Sequence, residues 1–300
     1  MVSFGGLTGG HTGDPVGAAR LSDLPVGRSP VRTADHVVIL VSAGQGTHGL
    51  DFVTYGCRPG TLLWGRPGQV HQFGGQAGFD ATVLSFSPAI LPELPLSDLP
   101  LSLPELVTDP FAPACWQPAG EDEEAIVAEI AQIGVDQVRY GGTPFGETLL
   151  AHSVAVLLMR IAALAPEPRR GPADLLIGML RRELEREVRH RRVEDYAEQL
   201  RCSVRTLTRA SLAVTGRSAK QLIDERVALE AKRLLATSSL PAADVGRQLG
   251  FDEPTNFGRF FARETGQSPG SFRALLHRSP APRVPHQRSA LPGRLTPRTA

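Results

Sequence analysis

From His36 to Phe86 the apolar residues fall in short runs cut by glycine and proline: Val37-Val38-Ile39-Leu40-Val41, Thr61-Leu62-Leu63-Trp64 and Ala81-Thr82-Val83-Leu84-Ser85-Phe86. Runs of this length at near-regular spacing predict short strands in an antiparallel sandwich or barrel. Before them, residues 1–30 are rich in Gly and Pro, carry few periodic apolar positions and predict a flexible N-terminal arm. After them, residues 87–120 hold many prolines and predict a chain that runs over the surface.

The period then becomes helical. Glu121 to Val138 opens with Glu121, Asp122, Glu123 and Glu124, which suit the positive end of a helix dipole, and continues with Ile126, Ile130 and Ile133 on one face. A second helix is predicted over about 143–164, its apolar face wide enough to pack on the barrel and on a second subunit. The most apolar stretch, Leu149 to Ala165, carries His152 and Arg160 and is short for a membrane span, so it reads as a buried helix. Ala165-Pro166-Glu167-Pro168-Arg169-Arg170-Gly171-Pro172 breaks the pattern and marks a linker.

At 300 residues the chain has room for two domains. Its net charge of +1 hides an opposition: residues 1–170 sum to −8 and residues 171–300 to +9. A basic half attracts a polyanion such as nucleic acid without specifying how it is read. Only Lys220 and Lys232 among the 32 basic residues are lysine. Three scattered cysteines, Cys57, Cys115 and Cys202, do not make a disulfide framework, and with no basic-then-apolar leader at Met1 the expected compartment is the cytoplasm. The last segment, 278–300, has five Arg and no acidic residue and predicts a disordered basic tail.

The basic half repeats itself at an offset of 50: Leu207-Thr208-Arg209 returns as Phe257-Gly258-Arg259, and Thr215-Gly216-Arg217-Ser218 as Thr265-Gly266-Gln267-Ser268. A short amphipathic segment precedes each copy, Val193 to Leu200 and Ala242 to Leu249. Gly250-Phe251-Asp252 in one connection and Arg201-Cys202-Ser203 in the other supply a helix stop and a helix cap. Helix-turn-helix is thus predicted twice, a unit whose second helix enters the DNA major groove. Its exposed positions are Val204, Arg205, Thr208 and Arg209 in the first copy and Glu253, Pro254, Thr255, Asn256 and Arg259 in the second. Arginine grips guanine through two hydrogen bonds, glutamate accepts from cytosine, and threonine serves either role or meets a thymine methyl. Between the copies, Ala219 to Ala236 predicts one helix burying Leu222, Ile223, Val227, Leu229, Ala231, Leu234 and Leu235. About 17 residues rising 1.5 Å each give a strut of roughly 25 Å, able to hold two heads on one side of a duplex.

Val245-Gly246-Arg247-Gln248-Leu249-Gly250-Phe251, Asn256-Phe257-Gly258-Arg259-Phe260-Phe261-Ala262-Arg263, Thr265-Gly266-Gln267-Ser268-Pro269 and Phe272-Arg273 together resemble the AraC/XylS family of bacterial transcription regulators. The resemblance spans about 174–277 and includes Arg226 and Ala231-Lys232-Arg233-Leu234-Leu235. It implies DNA contacts at Arg205, Thr208, Arg209, Glu253, Thr255 and Arg259, to which the exposed position of Asn256 adds a further candidate. The first copy departs from the family at Ser211, where a phenylalanine matching Phe261 is usual, and at Ala219, where proline is common.

In that family a cupin-like barrel often binds a small effector and a following helix pairs two subunits. Gly44-Gln45-Gly46-Thr47-His48, Pro59-Gly60-Thr61-Leu62-Leu63 and Pro67-Gly68-Gln69-Val70-His71 resemble such a barrel. Metal-binding cupins carry a His-x-His pair with a following glutamate; here His48 is followed by Gly49-Leu50-Asp51, so neither a metal nor another cofactor is expected. His48, His71 and Phe73 are candidates for effector contact, with hydrogen bonding that holds a turn as the other role for His48 and His71. Arg28 and Arg32 suit either an anionic effector or the acidic barrel surface.

The expected whole is α+β: a flexible arm (1–30), a cupin-like antiparallel β-barrel with helices for effector binding and dimerisation (31–164), a linker (165–172), an all-α AraC-type DNA-binding domain (173–277) and a tail (278–300). The expected function is that of a non-enzymatic regulator binding double-stranded DNA and a small effector as a homodimer, with RNA polymerase as a further partner. The alternatives are a cupin metalloenzyme fused to a DNA-binding module and an effector-independent architectural DNA binder.

Overall fold

A computed structural model describes residues 15–25, 27, 29–74, 78–93, 107, 112–164, 171–189 and 192–278. Strands β1 (Val16–Arg20), β2 (Val31–Arg32), β3 (His36–Ala43), β4 (Gly46–Leu50), β5 (Val53–Cys57), β6 (Leu62–Gly65), β7 (Val70–Gly74), β8 (Asp80–Phe86) and β9 (Cys115–Trp116) make two antiparallel sheets. One runs β1-β8-β3-β6-β9 and the other β2-β7-β4-β5. The three apolar runs of the sequence are β3, β6 and β8, neighbours in the first sheet.

Their unbroken apolar character follows from burial on both faces. Along β3, Val37, Ile39 and Val41 point between the sheets with Leu63, Val83 and Phe73. Val38 and Leu40 alternate to the other side, where Leu62, Trp64, Leu84 and Phe86 meet two helices. Those helices are α1 (Glu121–Tyr140) and α2 (Pro144–Ala163). Ile126, Ile130 and Ile133 on α1 and Val154, Leu157, Leu158 and Ile161 on α2 are buried there, each worth about 1.5–3 kcal/mol of transfer free energy. Thr143 caps α2 by accepting the Gly146 N–H at 3.0 Å. By length and composition α2 could cross a membrane, and half of its most apolar window is buried inside the fold.

Two expectations change. The arm is part of the sheet from Val16 onward: β1 pairs with β8 from Val16↔Phe86 to Arg20↔Thr82, and Val16 joins the helix-facing core. Val16-Gly17-Ala18-Ala19 has little strand propensity of its own, so pairing with β8 decides its conformation. The surface-running stretch is likewise anchored, because Cys115–Trp116 pairs with β6 and Ala112 and Trp116 pack on the core. Residues 1–14, most of the linker (165–170), Arg28 and residues 279–300 lie outside the described residues.

The C-terminal half is helical: α3 (Pro172–Arg186), α4 (Val193–Gln199), α5 (Val204–Thr215), α6 (Ala219–Thr237), α7 (Ala242–Gln248), α8 (Pro254–Thr265) and α9 (Pro269–Arg278). The two helix-turn-helix turns share one backbone device. Arg201 (φ 51°) and Gly250 (φ 86°) both adopt the left-handed conformation. The next amide donates five residues back, Cys202 to Ala197 O at 2.9 Å and Phe251 to Gly246 O at 3.0 Å. At Gly246 a Cβ would stand 2.8 Å from Phe257, so glycine there lets α7 and α8 pack closely.

Candidate DNA-reading faces and sensor site

The two helix-turn-helix units are α4–α5 and α7–α8. Ser203 caps α5 by accepting the Thr206 N–H at 3.0 Å, while Pro254 opens α8. Leu207 and Ala210 turn inward on α5, leaving Arg205 and Arg209 exposed and Thr208 half-buried. Phe257, Phe260 and Phe261 turn inward on α8, leaving Glu253, Thr255, Asn256 and Arg259 exposed. Each predicted DNA contact therefore sits on the outer face of a second helix or, for Glu253, at the N-cap of α8, and each set holds hydrogen-bonding groups suited to base edges and phosphates. A recess of about 480 Å³ beside α8 is lined by Asp252, Asn256, Arg259 and Arg263 among others.

Ser211 is fully buried where α8 has Phe261. Its hydroxyl donates to Arg217 O at 2.7 Å, inside the turn that leads into α6. A hydrogen bond to the backbone thus replaces aromatic packing in the first unit. The aromatic chain of the second unit, Phe251, Phe257, Phe261 and Phe272, has no counterpart there, with Phe261 and Phe272 centred 5.6 Å apart.

α6 braces both units, and its polar residues were the part the hydrophobic pattern hid. Leu229 and Leu234 are half-buried, whereas Asp224, Arg226, Glu230 and Arg233 are buried. Arg226 makes a two-pronged pair with Glu185 of α3, one bond being 2.9 Å, and a third to Glu230 at 3.2 Å. Asp224 accepts from Arg263 of α8 at 3.1 Å.

In the barrel, β4 and β7 bring the three effector candidates together. His48 lies opposite Phe73, and His71 follows on the same face. The His48 Nε2 and His71 Nδ1 atoms are 3.1 Å apart, and the His48 ring meets Phe73 edge-on at 4.8 Å. Both imidazoles are buried, His48 in the middle of a strand and not at a turn. Burial lowers His71 to about 4, and burial with repulsion from His71 takes His48 well below its ordinary value. The His71 ring lies against Gly65 of the facing sheet, where a Cβ would come within 2.3 Å of Cε1 and Nε2. Two neutral imidazoles and an aromatic ring thus meet on one buried face, an apolar cluster with a few hydrogen-bonding edges. Among the described residues, no group of three or more His, Cys, Asp or Glu stands close enough to share a metal ion.

Arg32 reaches across to the helical half of the chain. It donates to Gly68 O at 2.8 Å and pairs with Glu230 of α6 at 2.6 Å. Sequence reasoning also passed over Asp51, Phe52 and Gln69. Asp51 accepts from Gln69 Nε2 at 2.7 Å and from the Val70 N–H at 3.0 Å, and it pairs with Arg233. Burial alone would raise the Asp51 carboxyl, but the hydrogen bonds and charge of Arg233 outweigh it and hold the group below its usual value.

Two family models match the chain: an AraC-like ligand binding domain over residues 26–117 and a helix-turn-helix domain over residues 196–275. The arabinose operon regulatory protein of Salmonella typhimurium is 26% identical over 253 residues, covering 82% of this chain and 85% of that protein. Its Escherichia coli namesake is 49% identical over 51 residues, 17% of each chain. The transcriptional activator RhaR of Salmonella schwarzengrund is 32% identical over 106 residues, 35% of this chain and 36% of that one. Among solved structures, ToxT from Vibrio cholerae is similar at 14% identity and a TM-score of 0.45, over 87% of this chain and 97% of that one. The DNA-binding domain of AdpA, solved with a target DNA, is 29% identical at a TM-score of 0.31, over 36% of this chain and 97% of that one. The chain belongs to the AraC family of transcription regulators, with an AraC-like ligand-binding domain followed by a helix-turn-helix domain.

Proposed function

We propose that the chain is a sequence-specific transcription regulator in which α5 and α8 read adjacent major-groove segments while the barrel senses a small effector. The observation that carries this reading is the pair of exposed polar faces, Arg205, Thr208 and Arg209 on one second helix and Glu253, Thr255, Asn256 and Arg259 on the other, braced by a single helix. Arg209 and Arg259 occupy corresponding positions and serve as the principal base or phosphate contacts.

The effector site is assigned to His48, His71 and Phe73. The boundaries proposed for the working parts are 31–164 for the sensor and 173–277 for the DNA-binding domain, the sensor's sheet also incorporating β1. The protein acts as a homodimer in the cytoplasm, contacts RNA polymerase at its promoters and catalyses no reaction. A dimer face is offered by α1 and not by the apolar side of α2, which the barrel covers: Val127, Ala128, Ala131, Val135 and Val138 are exposed along one stripe of α1. Glu124 and Arg139 at its two ends become ion-pair partners when two such helices run antiparallel.

Calorimetric titration with a metabolite panel, followed by gel shifts with each binder, tests the sensor assignment. A compound that binds wild type but not His71→Gln, and that changes DNA affinity, is the expected result. Absence of any ligand effect on DNA binding favours an architectural role instead.

A further inference from the structure

The turn joining β4 to β5 has only two residues, Asp51 and Phe52, since Leu50 pairs with Val53. Both have positive φ, 48° and 68°. A two-residue turn of this kind favours Asn-Gly, and a phenylalanine held there is under local strain that its surroundings must offset. Those surroundings belong to the other domain. The Phe52 ring packs against the DNA-binding core, edge-on to Phe272 of α9 at 5.4 Å, with the Lys232 ammonium 5.5 Å from its centre. Asp51 accepts two hydrogen bonds from Arg233, and Arg233 and Arg226 both reach Glu230, which Arg32 of β2 also engages. Asp51, Glu230 and Glu185 balance Arg32, Arg226 and Arg233, giving a continuous network of three charges of each sign from the barrel through α6 to α3.

We propose that the Asp51-Phe52 hairpin tip is an interdomain clasp through which the barrel fixes the orientation of both DNA-reading units. The helix it grips is the one that holds the units in place, α3 through Arg226 and Glu185 and α8 through Asp224 and Arg263. The tip is tied equally firmly to the barrel, Asp51 taking the Val70 N–H and the Gln69 side chain while its own N–H donates to Val70 O at 2.9 Å. The significance of the clasp rests on the DNA-reading assignment; its existence as a restraint does not.

The double variant D51N/F52G tests this in the full chain. It installs the residues such a turn prefers, removes the ring contact with α9 and reduces the two-pronged charged grip on α6 to one neutral acceptor, so the hairpin survives while the clasp is weakened. Spin labels on unnatural residues at Glu121 of α1 and Ala262 of α8, both exposed, report the distance between domains. The expected result is a narrow distance distribution in wild type, at least twofold broader in D51N/F52G, with F52G alone in between. A distribution as narrow in both variants as in wild type, or one already broad in wild type, overturns the proposal. DNA protection by the wild type is scored separately: its failure would sink the DNA-reading assignment and leave the distance result to decide the clasp.

Discussion

Asp51 on the barrel and Arg233 on α6, separated by 182 residues in sequence, are joined by hydrogen bonds of 2.9 and 2.6 Å. Arg233 is 1% exposed, so its charge has little solvent to fall back on. Removing one partner of a buried pair leaves the other uncompensated, at a cost of about 3–5 kcal/mol, although the pair as a whole need not outperform apolar packing.

Arg233→Gln should therefore lower the unfolding free energy by about 3 kcal/mol or more, because Asp51 and Glu230 both lose a partner. Lys232→Gln, removing only the cation beside Phe52, should cost about 0.5–1 kcal/mol. Urea unfolding of both variants checks the ranking, and equal losses would mean that the network contributes no more than the ring contact.

Acid should weaken the barrel before it reaches the carboxylates. Burial, assisted by Arg66, takes His36 to about 3, and burial takes His71 to about 4. The unfolded chain takes up these protons near pH 6.5 while the folded chain refuses them until the lower values. Stability is thus full above 6.5 and falls as pH drops, by about 1.4 kcal/mol per unit for each histidine. His71→Gln should flatten the stability curve between pH 6 and 4.5 by about that slope, and an unchanged slope would place the proton uptake elsewhere. Asp51 and Glu230, both held below their ordinary values against the opposing effect of burial, add a further loss only below about pH 4.5.

Gly65→Ala should destabilise the barrel by about 1–3 kcal/mol, since the new methyl lands on the His71 ring and the sheets must part or the ring must turn. The same variant should abolish binding of any ligand that depends on the histidine pair. Calorimetry with a compound that binds wild type reads the second effect and thermal unfolding the first; full affinity in Gly65→Ala would move the effector site away from His71.

On DNA, Arg259→Ala should weaken specific binding by about 1–3 kcal/mol and Arg209→Ala by less, because Ser211 leaves the first unit without the aromatic support that Phe261 gives the second. Gel shifts at fixed salt measure both. A larger loss from Arg209→Ala would show that the buried hydroxyl of Ser211 holds α5 as firmly as an aromatic ring.

The part of the fold legible in the sequence is the part that repeats locally. β3, β6 and β8 declared themselves because burial on two faces makes an unbroken apolar run, and α4–α5 and α7–α8 because one unit was written twice. Val16-Gly17-Ala18-Ala19 carries no such signature, as its strand exists only by pairing with β8. Residue type points to His48, His71 and Phe73 only one at a time, and it is the register of β4 on β7 that gathers them on one face. Asp51 and Phe52 stayed hidden for a different reason. Their partners Arg233 and Phe272 lie in the other domain, and an aspartate followed by a phenylalanine in a turn looks like ordinary surface until positive φ values and an interdomain ion pair are seen together. Arg226, Glu230 and Arg233 were similarly masked, since charged residues on a helix are expected to face water.

Hydroxyl-radical footprinting of the DNA around the protein's own coding region, with wild type, with Arg205→Ala/Arg209→Ala and with Arg259→Ala, tests the two-headed reading most directly. The account predicts that each monomer leaves two protected segments about one helical turn apart on one side of the duplex, and that each variant erases a different one. A single protected segment, or the loss of both together in either variant, would contradict it.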